Sequence, residues 1–355
     1  MKMGVKDADT HKLAFHPQRV ARWKGGGDMS VPIHSEIGIT NRCNHKCSFC
    51  TLDWVTHGSQ ELALPIIRKT VHDLKSLGVK SIYLAGEGEP TMHPEFVTIV
   101  NEIKHSGLSI AVSTNGSRYD KYMMQSTLRS ISWIRFSVDT VDCATYMGIH
   151  GVGSGKLRDV KENIARAVMY KMENELETDI GVQVVLTDET AKHLKQTVEF
   201  FRMLGVDNVQ IKPCHNHPNS KHQTRMEPER YEDLKSMAKS YETDDFTVVF
   251  RYRGMERLSE PRDWKRCDGF DFYVLIDANG NVVPCNVFYH KPEFIYGNVY
   301  EETFYDIWNG KRRREIIKKI EETNFEHCGI YRCRLDVINR YLHRVKNPER
   351  NDEFI

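Results

Sequence analysis

Short β-rich runs that alternate with amphipathic stretches are the feature that most restricts what this chain can fold into. The runs fall at 33–40, 81–85, 109–114, 133–138, 180–187 and 208–212. Stretches with helical periodicity lie between them at 63–77, 94–106, 119–130, 156–172 and 190–204. Strand, helix and strand in alternation close most readily as parallel strands joined by crossover helices. A full eight-unit barrel takes about 250 residues. Six units over residues 33–212 therefore predict an α/β chain built on a partial (β/α)6 TIM-like barrel. Loops that leave the C-terminal ends of the strands carry the chemistry in such barrels.

After about residue 235 the alternation stops. A strand at 247–252 is followed by one at 272–276, the turn Asp277-Ala278-Asn279-Gly280 and a strand at 282–284. Turn chemistry of the Asn-Gly kind between apolar runs marks a β-hairpin. Helical stretches at 302–323 and 331–345 complete a small C-terminal α+β domain. The division expected is a lead-in over 1–30, the barrel over 31–235, the hairpin-plus-helices domain over 236–345 and a tail over 346–355.

Nine cysteines, at 43, 47, 50, 143, 214, 267, 285, 328 and 333, fall mainly into two groups. Cys43, Cys47 and Cys50 form a C-x3-C-x2-C array directly after the first strand. Three thiolates suit an iron–sulfur cubane with one iron left open to another ligand. A structural zinc ion would call for a fourth ligand, nominally His45. Cys267, Cys285, Cys328 and Cys333 gather in the second domain, where the hairpin turn lies between the first two. Four thiolates there can hold a second [4Fe–4S] cluster or zinc.

Fifty basic and forty-nine acidic side chains leave a formal charge of +1, which argues against a nucleic-acid binder with a generally basic surface. No apolar run approaches the ~20 residues needed to span a bilayer. Residues 1–12 show no apolar signal core, so a cytoplasmic location is expected, without membrane or nucleic-acid partners. In a reducing compartment, clustered cysteines point to metal or redox chemistry.

The array with Phe49 before its last cysteine resembles the signature of the radical S-adenosylmethionine (SAM) superfamily. Residues 33–215 carry further matches in order: Gly86-Glu87-Gly88-Glu89-Pro90 after the second strand, Ser113-Thr114-Asn115-Gly116 after the third, and Ser137-Val138-Asp139 after the fourth. The resemblance implies that the open iron is chelated by SAM and that Phe49, Gly86, Gly88, Glu89, Ser113, Asn115, Ser137 and Asp139 line the cofactor. Glu89 would meet the methionyl ammonium; Glu87 departs from the small residue usual at its position. The C-x12-G-x4-C spacing from Cys267 through Gly280 to Cys285 is similar to the SPASM and twitch extensions of these enzymes, as are Gly297-Asn298-Val299-Tyr300 and Ile307-Trp308-Asn309. SPASM domains with two auxiliary clusters generally need more cysteines, so the twitch type with one [4Fe–4S] cluster is expected.

The resemblance implies a 5′-deoxyadenosyl radical that takes hydrogen from a small polar or anionic substrate, in the class of cyclitols, amino sugars and nucleotide sugars. Oxidation of an alcohol carbon is the leading reaction, with the auxiliary cluster as electron acceptor and flavodoxin or ferredoxin as external reductant. Lys212, Cys214, His215 and His217 follow the sixth strand, where they can face the barrel mouth. Lys212 and the histidines suit substrate anions or proton transfer. Cys214 as a hydrogen donor would instead make a sugar epimerase. Arg251, Arg253 and Arg262 can take a phosphate or carboxylate. A peptide-modifying radical enzyme ranks lower, because only about thirty residues precede the barrel. A zinc-stabilised binding protein is the non-enzymatic alternative. Cys143 reads as an ordinary helix-start cysteine and the Lys311–Arg314 run as a solvated helix face.

Overall fold

The computed structural model describes residues 11–26, 31–55, 57–214, 217–222, 231–251, 261–322, 328, 333–352 and 354. Seven strands pair side by side in chain order, all parallel: β1 (His34–Ile37), β2 (Ser81–Leu84), β3 (Ser109–Thr114), β4 (Trp133–Ser137), β5 (Asp179–Leu186), β6 (Asn208–Pro213) and β7 (Thr247–Phe250). β8 (Tyr273–Ile276) runs parallel to the other side of β1. β9 (Asn281–Val283) and β10 (Gly297–Asn298) continue antiparallel from it. The described strands thus form one sheet in the order β10-β9-β8-β1-β2-β3-β4-β5-β6-β7. The strand expected after the end of the alternation is therefore a seventh parallel strand, and the hairpin extends the barrel sheet from its other edge.

The crossovers are α2 (Leu64–Leu77), α3 (Phe96–His105), α4 (Lys121–Thr127), α5 (Cys143–His150) with α6 (Lys156–Glu173), α7 (Asp188–Ala191) with α8 (Leu194–Leu204), and α9 (Glu232–Lys239). Local chemistry sets their ends. The Asp120 and Asp142 carboxylates accept the backbone N–H groups of Met123 (2.9 Å) and Thr145 (2.8 Å), caps worth about 1 kcal/mol each. Gly78 and Gly205 close α2 and α8 in the left-handed conformation that glycine adopts without a Cβ penalty. The stretch expected as one helix at 302–323 divides into α10 (Phe304–Asn309) and α11 (Lys311–Glu322), because Gly310 between them is extended. The last helix, α12, spans Asp336–Lys346.

Strand alternation separates two environments. Ile82, Leu84, Ile110, Val112, Ile134, Phe136, Val182, Val184, Val209 and Ile211 are buried against the helices in one continuous core. Register places Glu36 beside Tyr83, Ser113 beside Arg135, and Ser137 beside Gln183 on the opposite, concave face. Tyr83, Ser113, Trp133, Arg135, Ser137, Gln183 and Lys212 are only partly buried although their strands run through the middle of the sheet. The concave face is therefore polar and incompletely covered.

The lead-in is docked rather than detached. Helix α1 (Pro17–Lys24) and the residues before it pack Leu13 and Val20 with Ile33, Phe272 and Leu342. The Trp23 indole donates to Asp271 Oδ2 at 3.1 Å.

Candidate active site

The loop after β1 carries Cys43, Cys47 and Cys50, each only partly buried. It is clamped onto the end of α5: the N–H groups of Lys46 and Ser48 donate to the carbonyls of His150 (2.9 Å) and Ile149 (2.8 Å). Gly151 permits this approach, with a φ of 61° and space in which a Cβ would lie 2.9 Å from the Lys46 carbonyl oxygen. Burial raises all three thiols, Cys43 to about 11, and neighbouring thiols add to the shift of Cys43 and Cys47. Thiolates gathered in a water-poor recess lack a counter-charge, which a metal centre supplies, so the donor set fits an iron–sulfur cluster.

His150 is a neighbour the sequence did not single out. Its Nδ1 lies 3.2 Å from Cys47 Sγ, and its Nε2 lies 3.1 Å from Asp139 Oδ2 and 3.2 Å from the Val138 carbonyl. His45, Cys47 and His150 bring ligand atoms within 4.8 Å of one another, a possible rival set for a single metal ion that shares Cys47 with the triplet. The histidine comes from a helix end 103 positions away in sequence, beyond the reach of any local motif.

The loops at the next strand ends meet this one. Gly88 packs so closely that a Cβ would sit 2.4 Å from the Arg42 carbonyl oxygen, and Glu89 N–H donates to that same oxygen at 2.7 Å. Gly86 has a φ of 114°. The buried Glu89 carboxylate accepts from Thr91 N–H (3.1 Å), Thr91 Oγ1 (2.7 Å), Thr114 Oγ1 (2.6 Å) and Asn115 N–H (2.6 Å). Burial raises its pKa and these bonds oppose the rise. Glu89 thus braces the second loop against β3. Asn115 donates to Asn44 in the cysteine loop at 2.8 Å, and Ser113 shares a 2.6 Å hydrogen bond with the Tyr83 hydroxyl. Asp139, fully buried at a φ of 69°, accepts from Val185 N–H at 2.5 Å. Ser137 stays partly exposed on the concave face. Phe49 lines a cavity of about 330 Å³ at the mouth together with Ser48, Thr145, Ile149 and Thr187.

Cys267, Cys285, Cys328 and Cys333 come together in the second cysteine set. Burial raises each thiol first; the other three add to the shift of Cys267, and Cys328 and Cys333 to that of Cys285. Two N–H groups already point at sulfur, from Asn339 to Cys267 (3.2 Å) and from Leu335 to Cys333 (3.4 Å). Four convergent sulfurs with N–H donors fit a second cluster. Arg334, next in the chain after Cys333, meets the Glu36 carboxylate and, at 3.3 Å, the Tyr273 hydroxyl.

Cys214 is buried at the end of β6, and Lys212 is partly buried on the concave face. His217 is buried and stacks on Trp54 at 5.4 Å; burial lowers its pKa to about 4. His215 and Arg253 lie outside the described residues. Arg262 sits 5.2 Å from the centre of the Trp264 ring and acts electrostatically on Cys328 and Cys333, and Cys143 is exposed at the start of α5.

The family model described as the radical SAM superfamily matches residues 37–201, and an iron–sulfur cluster-binding domain of the SPASM type matches residues 267–334. The chain carries a radical SAM domain and a SPASM-type iron–sulfur domain. S-adenosylmethionine and [4Fe–4S] clusters are accordingly its cofactors. It is 27% identical to the tungsten-containing aldehyde ferredoxin oxidoreductase cofactor-modifying protein of Pyrococcus furiosus, over 78% of this chain and 80% of that one. It is 28% identical to a probable GTP 3′,8-cyclase of Methanococcus maripaludis over 48% of this chain and 55% of the relative. Among solved structures, Streptococcus suis SuiB bound to S-adenosylmethionine superposes with a TM-score of 0.67 at 16% identity, covering 95% of this chain and 79% of SuiB. The enzyme anSMEcpe with bound AdoMet gives 0.56 at 19%, covering 81% and 83%. These two likenesses show the fold. No helix among the described residues is long and apolar enough to cross a membrane.

Proposed function

We propose that this radical SAM protein oxidises an alcohol carbon of a small polar or anionic molecule. The first cluster is assigned to Cys43, Cys47 and Cys50, and a single auxiliary cluster to Cys267, Cys285, Cys328 and Cys333. The observation that carries the reading is the second set of four thiols, three of them buried, attached through β8 to the strand that leads into the first set. Cluster and cofactor together supply a 5′-deoxyadenosyl radical and, at the auxiliary site, an acceptor for one electron. The substrate carbon gives up its hydrogen atom, the hydroxyl a proton and the resulting radical one electron, leaving a carbonyl. On the protein side, the Glu89 brace holds the cofactor loop in place, and Lys212 is available on the concave face for an anion or a proton. A cytoplasmic one-electron donor of the flavodoxin or ferredoxin kind would reduce the first cluster. Two relatives, a cofactor-modifying protein and a probable GTP 3′,8-cyclase, favour small molecules over peptides.

The test is anaerobic incubation of the reconstituted enzyme with SAM, a reductant and deuterated candidate cyclitols and sugars. Deuterium should enter 5′-deoxyadenosine and the product should be lighter by two hydrogens. Cys267→Ala should stop oxidation while SAM cleavage persists. The buried Cys214 at the strand end supports a second reading, epimerisation. A product of unchanged mass, lost on Cys214→Ala, would replace oxidation by that outcome.

A further inference from the structure

Resting on the assignment of the concave face to substrate, we propose that Arg135 is the anchor for an oxyanion, a carboxylate or phosphate group, on the substrate. Arg135 stands in the middle of β4, two residues before Ser137, on the concave face. One face of its guanidinium lies over the Trp133 ring, 4.6 Å from the centroid. Among the described residues it makes no hydrogen bond and no ion pair, so the N–H edges of the fork are unspent. Its in-register neighbours are Ser113 and Gly181, neither of which offers it a charge, and the Asn208 amide fills the space beside Gly181.

The charge around it is out of balance. Arg334, with a side chain 46% exposed, acts electrostatically on Arg135, and both guanidiniums do so with Tyr83. The carboxylate of Glu36 is taken: Arg334 bonds it, and the Tyr273 hydroxyl donates to it at 3.0 Å. Burial lowers the pKa of Arg135, Tyr83 opposes that shift, and the repulsion of Arg334 adds to it. A partly desolvated guanidinium without a counter-ion is expensive, whereas one that receives an oxyanion bidentately gains charge-assisted bonds. The Trp133 stack fixes the plane of the fork, so the incoming oxygens are oriented as well as attracted.

This position gives the anchor a purpose in the reaction. A group held at Arg135 stands below the ring of strand-end loops that hold the cofactor, so the rest of the substrate is directed toward the mouth. Binding energy from a non-reacting group then serves to place the reacting carbon.

The experiment uses the reconstituted, SAM-loaded enzyme and two probes, inorganic phosphate and acetate, with binding followed by calorimetry. Wild type should bind one or both, and the tighter probe identifies the class of oxyanion. Arg135→Met should weaken that binding at least about tenfold, and Arg135→Lys, which keeps charge but loses the fork, by a smaller factor. Iron and sulfide content must equal wild type in both variants, and should Arg135→Met fail this, the lysine variant decides. Equal affinity in wild type and variants, or no binding of either probe to wild type, overturns the proposal. In a parallel arm, deuterium transfer confined to neutral substrates also overturns it while leaving radical oxidation standing. Failure of the wild-type enzyme to cleave SAM at all would instead overturn the function on which the proposal rests.

Discussion

At the scale of single residues, burial decides what the ionisable groups can do. His34 on β1 shares a 2.9 Å hydrogen bond with Ser81, and burial holds it near 4, against about 6.5 in an unfolded chain. A histidine with a lowered folded pKa favours the folded state fully above the unfolded value and loses that contribution as protons bind only to the unfolded chain. Stability should therefore fall between about pH 6.5 and 4, by at most about 3 kcal/mol from this group. His34→Gln should flatten that part of the profile in anaerobic urea unfolding; an unchanged slope would show that His34 is not its source. The residues that sequence reading missed share one property. Arg135, His150 and Arg334 matter through neighbours 100 or more positions away in sequence. No spacing rule encodes this. Cys43, Cys47 and Cys50 were legible because their partners are within eight positions of one another.

At the scale of elements, helix α12 has a task beyond packing. Asn339 on its first turns is fully buried, accepts from Gly269 N–H at 2.8 Å and donates to Cys267 Sγ at 3.2 Å. Asn339→Ala leaves a buried N–H without a partner, at a cost of about 1–3 kcal/mol. Iron retention at the second cysteine set should drop while the first set keeps its metal, as measured by iron analysis beside thermal unfolding. Equal iron loss from both sets would make the effect global. Periodicity located β1–β6 and their helices well because strict alternation of apolar and polar residues is a local property. It also found β7 as a strand but not its place beside β6 in the parallel sheet, because the rhythm breaks before it and the pairing depends on contacts between distant residues. The register that joins β8 to β1 was equally invisible, since parallel neighbours 239 positions apart leave no turn signature.

At the scale of the molecule, two separate thiol sets predict two metal centres. Anaerobically reconstituted protein should contain about eight irons and eight sulfides. Replacing both Cys267 and Cys285 by alanine should halve each figure, and a value of four in the unmodified protein would remove the auxiliary cluster. The lead-in helix α1 ties the chain's beginning to β8 and α12 through Trp23, whose indole also lies under the Lys346 ammonium at 4.3 Å. The chain is thus fastened across both cysteine-bearing regions rather than strung as beads.

β1 has a neighbour on each side, β2 carrying the cofactor loop and β8 carrying the hairpin. The two cysteine sets are therefore joined by a hydrogen-bonded ladder rather than by the docking of one module on another. Electron tunnelling, whose rate falls steeply with distance, would proceed over a gap that substrate entry cannot stretch, and the timing of turnover would fall to the loops alone.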